Sequence, residues 1–98
     1  MEKYVLSVLV ENHSGVLSRV AGMFSRRGYN IDSLSVGETA QAGISRMTIV
    51  TEADEATFTQ IKNQLAKLEE VIDISVLGAD SAILQQHMLM MEKLYKPI

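Results

Sequence analysis

The polar segment Glu11–Gly15 is the part of the sequence best suited to bind a small charged molecule. It follows an apolar run and precedes a stretch with helical periodicity, so we expect a helix to begin beside it. The free backbone N–H groups at a helix start can bind an anion, and Gly15 has no side chain to keep that anion away from the backbone. Asn12 can either cap this helix or form a hydrogen bond with a ligand.

Asn30 is a second candidate for ligand binding. It stands at the start of a predicted strand that is polar enough to lie at a sheet edge. If two such edges pair across a two-fold axis, Asn30 of one copy approaches the polar segment of the other copy. Catalytic chemistry has little support, because the chain has no cysteine and its two histidines, His13 and His87, are far apart. We therefore expect no catalytic residues and no metal site.

The hydrophobic periodicity predicts six elements in the order β-α-β-β-α-β. The first helix starts at Val16 and ends before Gly28, a C-terminal cap, and the second starts after Asp54, its expected N-cap. This order is that of the ferredoxin-like α+β fold, a four-stranded antiparallel sheet with two helices on one face and with the first and third strands at its centre. The predicted strands are residues 4–10, 29–36, 44–51 and 71–77.

Composition limits the classes of function. The chain of 98 residues is long enough for one domain, and its net charge of −3 argues against a general affinity for nucleic acid. An RNA-recognition module shares this topology but needs aromatic residues on its central strands, and the third strand has none. No apolar run approaches the ~20 residues that cross a bilayer, and the start Met1-Glu2-Lys3 does not resemble a signal peptide. The sequence therefore predicts a soluble, cytoplasmic protein.

Several stretches of the chain resemble one family. The segment Asn12-His13-Ser14-Gly15-Val16-Leu17 looks like the signature of ACT domains, the effector-binding modules of amino-acid metabolism. Over residues 3 to about 78 the chain is similar to the regulatory (small) subunit of acetolactate synthase, most specifically in Arg27-Gly28-Tyr29-Asn30-Ile31 and Ser45-Arg46-Met47-Thr48. The implied parts are an ACT domain, residues 1–78, and a C-terminal tail or linker, residues 79–98, where family members continue into a second domain.

The resemblance implies a regulatory protein with no chemistry of its own. Members of the family bind the large catalytic subunit of acetolactate synthase, raise its activity and confer feedback inhibition by branched-chain amino acids, usually valine. The cofactors thiamine diphosphate, magnesium and FAD would belong to that catalytic subunit, and none to this chain. Two ACT domains pair side by side as a homodimer through their second strands and first helices, with the effector between them. The implied effector-binding residues are Asn12, Ser14, Gly15, Val16 and Leu17 of one copy and Asn30 of the other.

Other interpretations of the same residues remain open. Gly15 could serve only to relieve crowding in a tight turn, and a dimerisation or docking module that binds no effector would show the same pairing. An acylphosphatase-like enzyme needs an arginine in the first turn, and residues 11–17 contain none. Arg19 is most simply part of a solvated helix face, and Glu69-Glu70 a polar loop. In the tail we expect an amphipathic helix with an apolar face of Leu84, Met88, Met91 and Tyr95.

Overall fold

The centre of the sheet is formed by the two longest strands, β1 (Glu2–Glu11) and β3 (Ile44–Ala53), which pair antiparallel. The computed structural model describes residues 2–77. The shorter strands β2 (Ser33–Glu38) and β4 (Val71–Val76) pair with β3 and β1 respectively, so the strand order is β2-β3-β1-β4. The predicted antiparallel sheet, with the first and third strands at its centre, is therefore confirmed.

Helices α1 (Val16–Arg26) and α2 (Glu55–Ala66) cover one face of this sheet. That face is built from alternate residues, since a strand presents every second side chain to the same side. On β1 the even-numbered residues Leu6, Val8 and Val10 are fully buried in the core that the helices complete. The predicted ferredoxin-like α+β fold is thus confirmed. Among the described residues there is no helix with the length and apolar character needed to cross a membrane.

β2 begins later than the sequence predicts, at Ser33 rather than at Tyr29. The Tyr29 N–H group donates a hydrogen bond to the Phe24 carbonyl of α1 at 2.9 Å, and the two aromatic rings meet edge to face with centroids 6.1 Å apart. Tyr29 therefore closes the end of α1 instead of joining the sheet. As a result, Asn30 lies in the loop between α1 and β2 and not at the start of the strand.

The edge strand β4 departs from simple alternation. The sequence predicts that Ile72, Ile74 and Val76 alternate with Asp73 and Ser75, and of the three apolar residues Ile74 does pack against the core. The register between β4 and β1 shifts, however, so that Val71 is the residue opposite Val10. Ile72 lies at this bulge, and no described strand lies on the outer side of β4. Ile72 and Val76 are 49% and 52% exposed. The predicted helix in residues 79–98, and the domain boundary before it, lie outside the described residues.

Candidate functional site

α1 begins at Gly15, its N-cap residue, which has a φ of +89°. Glycine populates this left-handed region without strain, whereas residues with a Cβ atom rarely do. A Cβ atom placed on Gly15 would meet no atom within 4 Å, so crowding does not explain the glycine. Within residues 2–77 no side chain caps α1, and its first turn holds no acidic residue. This helix start is therefore open, with the positive end of the helix dipole unmatched by any acid in the first turn.

Asn12 does not cap α1, so the prediction of that role is wrong. Its backbone N–H donates to the Gly43 carbonyl at 2.8 Å, and the chain makes a further turn, closed by the Val16 N–H and the His13 carbonyl at 3.3 Å, before the helix starts. The Asn12 side chain is exposed and forms no hydrogen bond within the described part of the chain, and Ser14 is exposed as well. Both side chains are accessible to a ligand.

The two apolar residues of this turn differ in exposure. Val16 is only 4% exposed and belongs to the core, whereas Leu17 is 47% exposed. Of the two, Leu17 is the one whose side chain can meet a branched ligand at the surface. The N–H groups of Leu17 and Ser18 make no hydrogen bond to the backbone of residues 2–77. Two donors at the start of α1 are therefore available to an anion.

Asn30 lies beside an acidic side chain in the loop between α1 and β2. Its Nδ2 donates a hydrogen bond to Asp32 Oδ1, and its carbonyl accepts one from the Thr51 hydroxyl. Asp32 also forms an ion pair with Lys3, with 3.6 Å between Oδ2 and Nζ. Asp32 is not among the predicted site residues. The sequence does contain a signal for it, because short polar side chains two residues apart, such as Asn30 and Asp32, often form local hydrogen bonds. Asp32 places a carboxylate in this loop, beside Asn30 and Lys3.

A cleft of about 520 Å³ opens beside Asn30 and is lined in part by Asp32, Glu52 and Asp54. The Asp54 carboxylate is already engaged, because its Oδ1 accepts a hydrogen bond from the Thr57 N–H. Residues 2–77 contain no group of three or more His, Asp or Glu side chains placed to hold a metal ion. The cleft is instead lined by carboxylates, groups that can attract a cationic group such as an ammonium.

The two halves of the predicted site lie at opposite ends of α1. Asn12, Ser14 and Gly15 precede the helix and Val16 and Leu17 begin it, whereas Asn30 follows it. A helix of 11 residues is about 16 Å long. One small ligand cannot touch both halves within a single chain. A site that contains both therefore requires two copies, with the Asn30 loop of one beside the open helix start of the other.

The comparisons with known proteins agree on one family. Residues 6–73 match the family model described as the AHAS small subunit-like ACT domain. The chain is 52% identical over 85 residues to the acetolactate synthase isozyme 3 small subunit of Escherichia coli (strain K12), an alignment that covers 87% of this chain and 52% of that protein. It is 52% identical over 79 residues to the probable acetolactate synthase small subunit of Archaeoglobus fulgidus, which covers 81% of this chain and 50% of that protein.

A solved structure agrees with these matches. The acetolactate synthase small subunit from Thermotoga maritima superimposes with a TM-score of 0.76 at 29% identity, covering 97% of this chain and 68% of that chain. The chain spans about half the length of the curated relatives it matches. These matches are to small subunits and to an ACT domain rather than to a catalytic fold, as the resemblance implied. The chain belongs to the family of acetolactate synthase small subunit-like ACT domains.

Proposed function

We propose that this chain is a regulatory module that pairs with a second copy of itself and binds a branched-chain amino acid, valine, between the two copies. The observation that carries the proposal is the open start of α1 at Gly15, with free donors and no acid in its first turn. The proposed result of binding is feedback control of the catalytic subunit of acetolactate synthase. The relatives support this role, since they are named as small subunits of that enzyme.

The carboxylate of an amino acid suits the start of α1. The N–H groups of Leu17 and Ser18 lack backbone partners in residues 2–77 and lie at the positive end of the helix dipole. The dipole stabilises an anion there by about 0.3–1 kcal/mol, and charge-assisted hydrogen bonds add to that value. The exposed amide of Asn12, in the turn before α1, supplies a further donor.

The ammonium group suits the Asn30 loop of the second copy. Because Asn30 Nδ2 is engaged with Asp32, the amide oxygen of Asn30 is the atom left to accept a hydrogen bond. The Asp32 carboxylate adds negative charge beside it. A zwitterion is matched at both ends in such a site, whereas an inorganic anion would be matched at one end only. This argument selects an amino acid over a phosphate or sulfate ion.

The edge formed by α1 and β2 suits pairing with a second copy. No described strand lies on the outer side of β2, so a strand of a second copy can be added at this edge of the sheet. Leu17 on α1 and Val36 on β2 are both exposed large apolar residues. Antiparallel addition of a second β2 strand would continue the sheet from four strands to eight and cover apolar surface at the same time.

Binding controls a catalytic partner only if the amino acid prefers one arrangement of the pair over another. A coupling free energy of about 1–3 kcal/mol is typical of such regulation. In this proposal thiamine diphosphate, magnesium and FAD belong to the catalytic subunit in the cytoplasm. This chain contributes the binding site for the effector and none of the reacting groups.

Calorimetric titration of the chain with valine, leucine and isoleucine tests the proposal, with glycine as the control. We expect a dissociation constant between about 1 μM and 1 mM for at least one branched amino acid. Glycine should bind more weakly, because it has no side chain to contact Leu17. Failure of all three branched amino acids to bind at millimolar concentration would contradict the proposal.

A dimerisation or docking module without an effector is the second candidate. The exposed Leu17 and Val36 favour it as much as they favour the first candidate, because both require pairing along α1 and β2. The module without an effector assigns no role to the open start of α1. Sedimentation equilibrium should therefore show a dimer in either case, and only the heat of valine binding separates the two candidates.

A further inference from the structure

Both ends of the turn that carries the proposed effector contacts are held by one residue, Glu70, in the loop between α2 and β4. On the strand side, the Glu70 carbonyl accepts a hydrogen bond from the Glu11 N–H at 2.9 Å. On the helix side, Glu70 Oε2 lies 2.9 Å from Nη1 of Arg19. Arg19 belongs to the first turn of α1, because its N–H donates to the Gly15 carbonyl at 3.0 Å. Glu70 therefore brackets residues 11–19.

The contact between Glu70 and Arg19 is not an ordinary surface ion pair. The Glu70 side chain is only 13% exposed, and its Oε1 atom is buried without a hydrogen-bond partner in the described structure. Because Oε1 of this carboxylate has no partner, stabilisation of its charge depends on the ion pair of Oε2 with Arg19. A fully exposed ion pair, in contrast, contributes little to stability. Glu69-Glu70 lies in a loop and the Arg19 side chain is 55% exposed, as the sequence predicts, but the near-burial of Glu70 and its pairing with Arg19 are not predicted.

We infer that Glu70 and Arg19 are a positioning pair for the effector turn, an inference that rests on the proposed function. The pair sets the distance between the Asn12 amide and the N–H groups of Leu17 and Ser18, so that all of them reach one carboxylate. Glu70 itself touches no ligand, because its free oxygen is buried. The proposed contacts that lie between its two anchor points are Asn12, Ser14, Gly15, Val16 and Leu17.

Loss of the Glu70 charge would act on one side of the turn only. The backbone hydrogen bond to Glu11 stays, because it uses the Glu70 carbonyl, while the tie to Arg19 is lost. The helix side of the turn then opens more often, and its hydrogen-bonded N–H groups, those of Val16 and Arg19, exchange with solvent faster. Effector binding weakens as well, since the ligand must order the turn before all its donors can act together.

Glu70→Gln and Arg19→Gln in the full chain test the inference. Arg26→Gln is the matched control, because it removes the same charge from the last turn of the same helix. Without ligand, we expect exchange of the hydrogen-bonded amides at positions 16 and 19 to be about tenfold faster in both test variants and unchanged in the control. By calorimetry, valine should bind about tenfold more weakly to either variant, and the double variant should lose no more, because the two residues act as one unit.

A merely structural role for the pair predicts a lower Tm with turn exchange and valine affinity unchanged, and that result would overturn the inference. Arg19→Lys keeps the charge and should restore most of the wild-type affinity. If the Gln variants fail to fold, Glu70→Asp replaces them and must still weaken valine binding more than Arg26→Gln does. If the wild-type chain binds no branched-chain amino acid, the proposed function fails, while the exchange measurement still decides whether the pair positions the turn.

Discussion

The two helices of this domain begin in opposite ways. α2 starts after Asp54, whose Oδ1 accepts a hydrogen bond from the Thr57 N–H at 2.7 Å, and Glu55 adds a second carboxylate to its first turn. The hydrogen bond from Thr57 lowers the pKa of the Asp54 carboxyl group. α1 starts at Gly15, with neither a capping side chain nor an acid in its first turn.

This difference separates a helix start that the chain itself caps from one that is open and that, in our proposal, the effector completes. Both starts are positive ends of a dipole, so both can attract an anion. At α2 the chain supplies that anion as Asp54, and a ligand would gain little. At α1 the helix starts at Gly15, which has a left-handed φ and no side chain to act as a cap. The N–H groups of the first turn therefore stay available. The proposed effector carboxylate does at α1 what Asp54 does at α2.

Gly15→Asp should have the largest effect on valine binding, because it places a carboxylate at the start of α1 and so removes the difference between the two helix starts. The new charge repels the effector carboxylate and fills its space. We expect valine binding, measured by calorimetry, to weaken by more than about hundredfold, or ~2.7 kcal/mol. Gly15→Ala is the control, since it carries the strain of a positive φ without the charge. The site assignment is wrong if the Asp variant binds valine as the wild type does.

Val36→Lys tests whether a second copy completes the open helix start. Lysine on the edge of β2 would place like charges across the two-fold axis, so the dimer should dissociate at concentrations at least about tenfold higher. Valine binding should weaken in parallel. Val76→Lys on the β4 edge is the matched control, because the two valines are similarly exposed, and it should leave the dimer intact. A wild-type chain that sediments as a monomer at high micromolar concentration would contradict the pairing.

Asp54→Ala should lower stability and change effector binding little. It removes the cap of α2, so we expect the Tm measured by circular dichroism to fall by about 5 °C. Valine affinity should change less than about threefold, because the Asp54 carboxylate is already engaged by Thr57. A larger change in affinity would mean that the two helix starts do not have separate roles.

The pH dependence of stability gives the smallest effect. Because the pKa of Asp54 is lowered in the folded state, its contribution is present above the unfolded value of about 3.9 and is lost as the pH falls through the folded value. The stability difference between the wild type and Asp54→Asn, measured by urea unfolding, should therefore shrink as the pH is lowered from about 5 to about 2. A difference that stays constant over this range would show that Asp54 does not act as a charged cap.

Features that depend on neighbouring residues are the ones the sequence predicts correctly. Asp54 caps α2 as expected, and Gly28 lies just past α1 with a φ of +70°. The predicted third strand, residues 44–51, lies within β3, where Met47 and Ile49 are buried in the core. Capping and alternation involve residues only a few positions apart, so a single sequence is enough to reveal them.

Features that depend on distant contacts or on turn geometry are the ones it misses. Asn12 has the right type for a cap, but an extra turn of chain separates it from α1. Tyr29 has the right type for a strand, but it packs against Phe24. Nothing near Glu70 in the sequence indicates that it meets Arg19. The effector contacts come from family resemblance, because no pattern in one chain shows what a second copy contributes.

The placement of the first turn and Asn30 at opposite ends of α1 has a consequence for mixtures of variants. A symmetric pair would hold two equivalent pockets, each with the turn of one chain and the Asn30 of the other. Gly15→Asp and Asn30→Ala should each disable both pockets of their own homodimer. In a hybrid of the two variants both lesions fall in one pocket, and the other pocket is fully wild type. Two inactive proteins should therefore regain valine binding when their chains are exchanged.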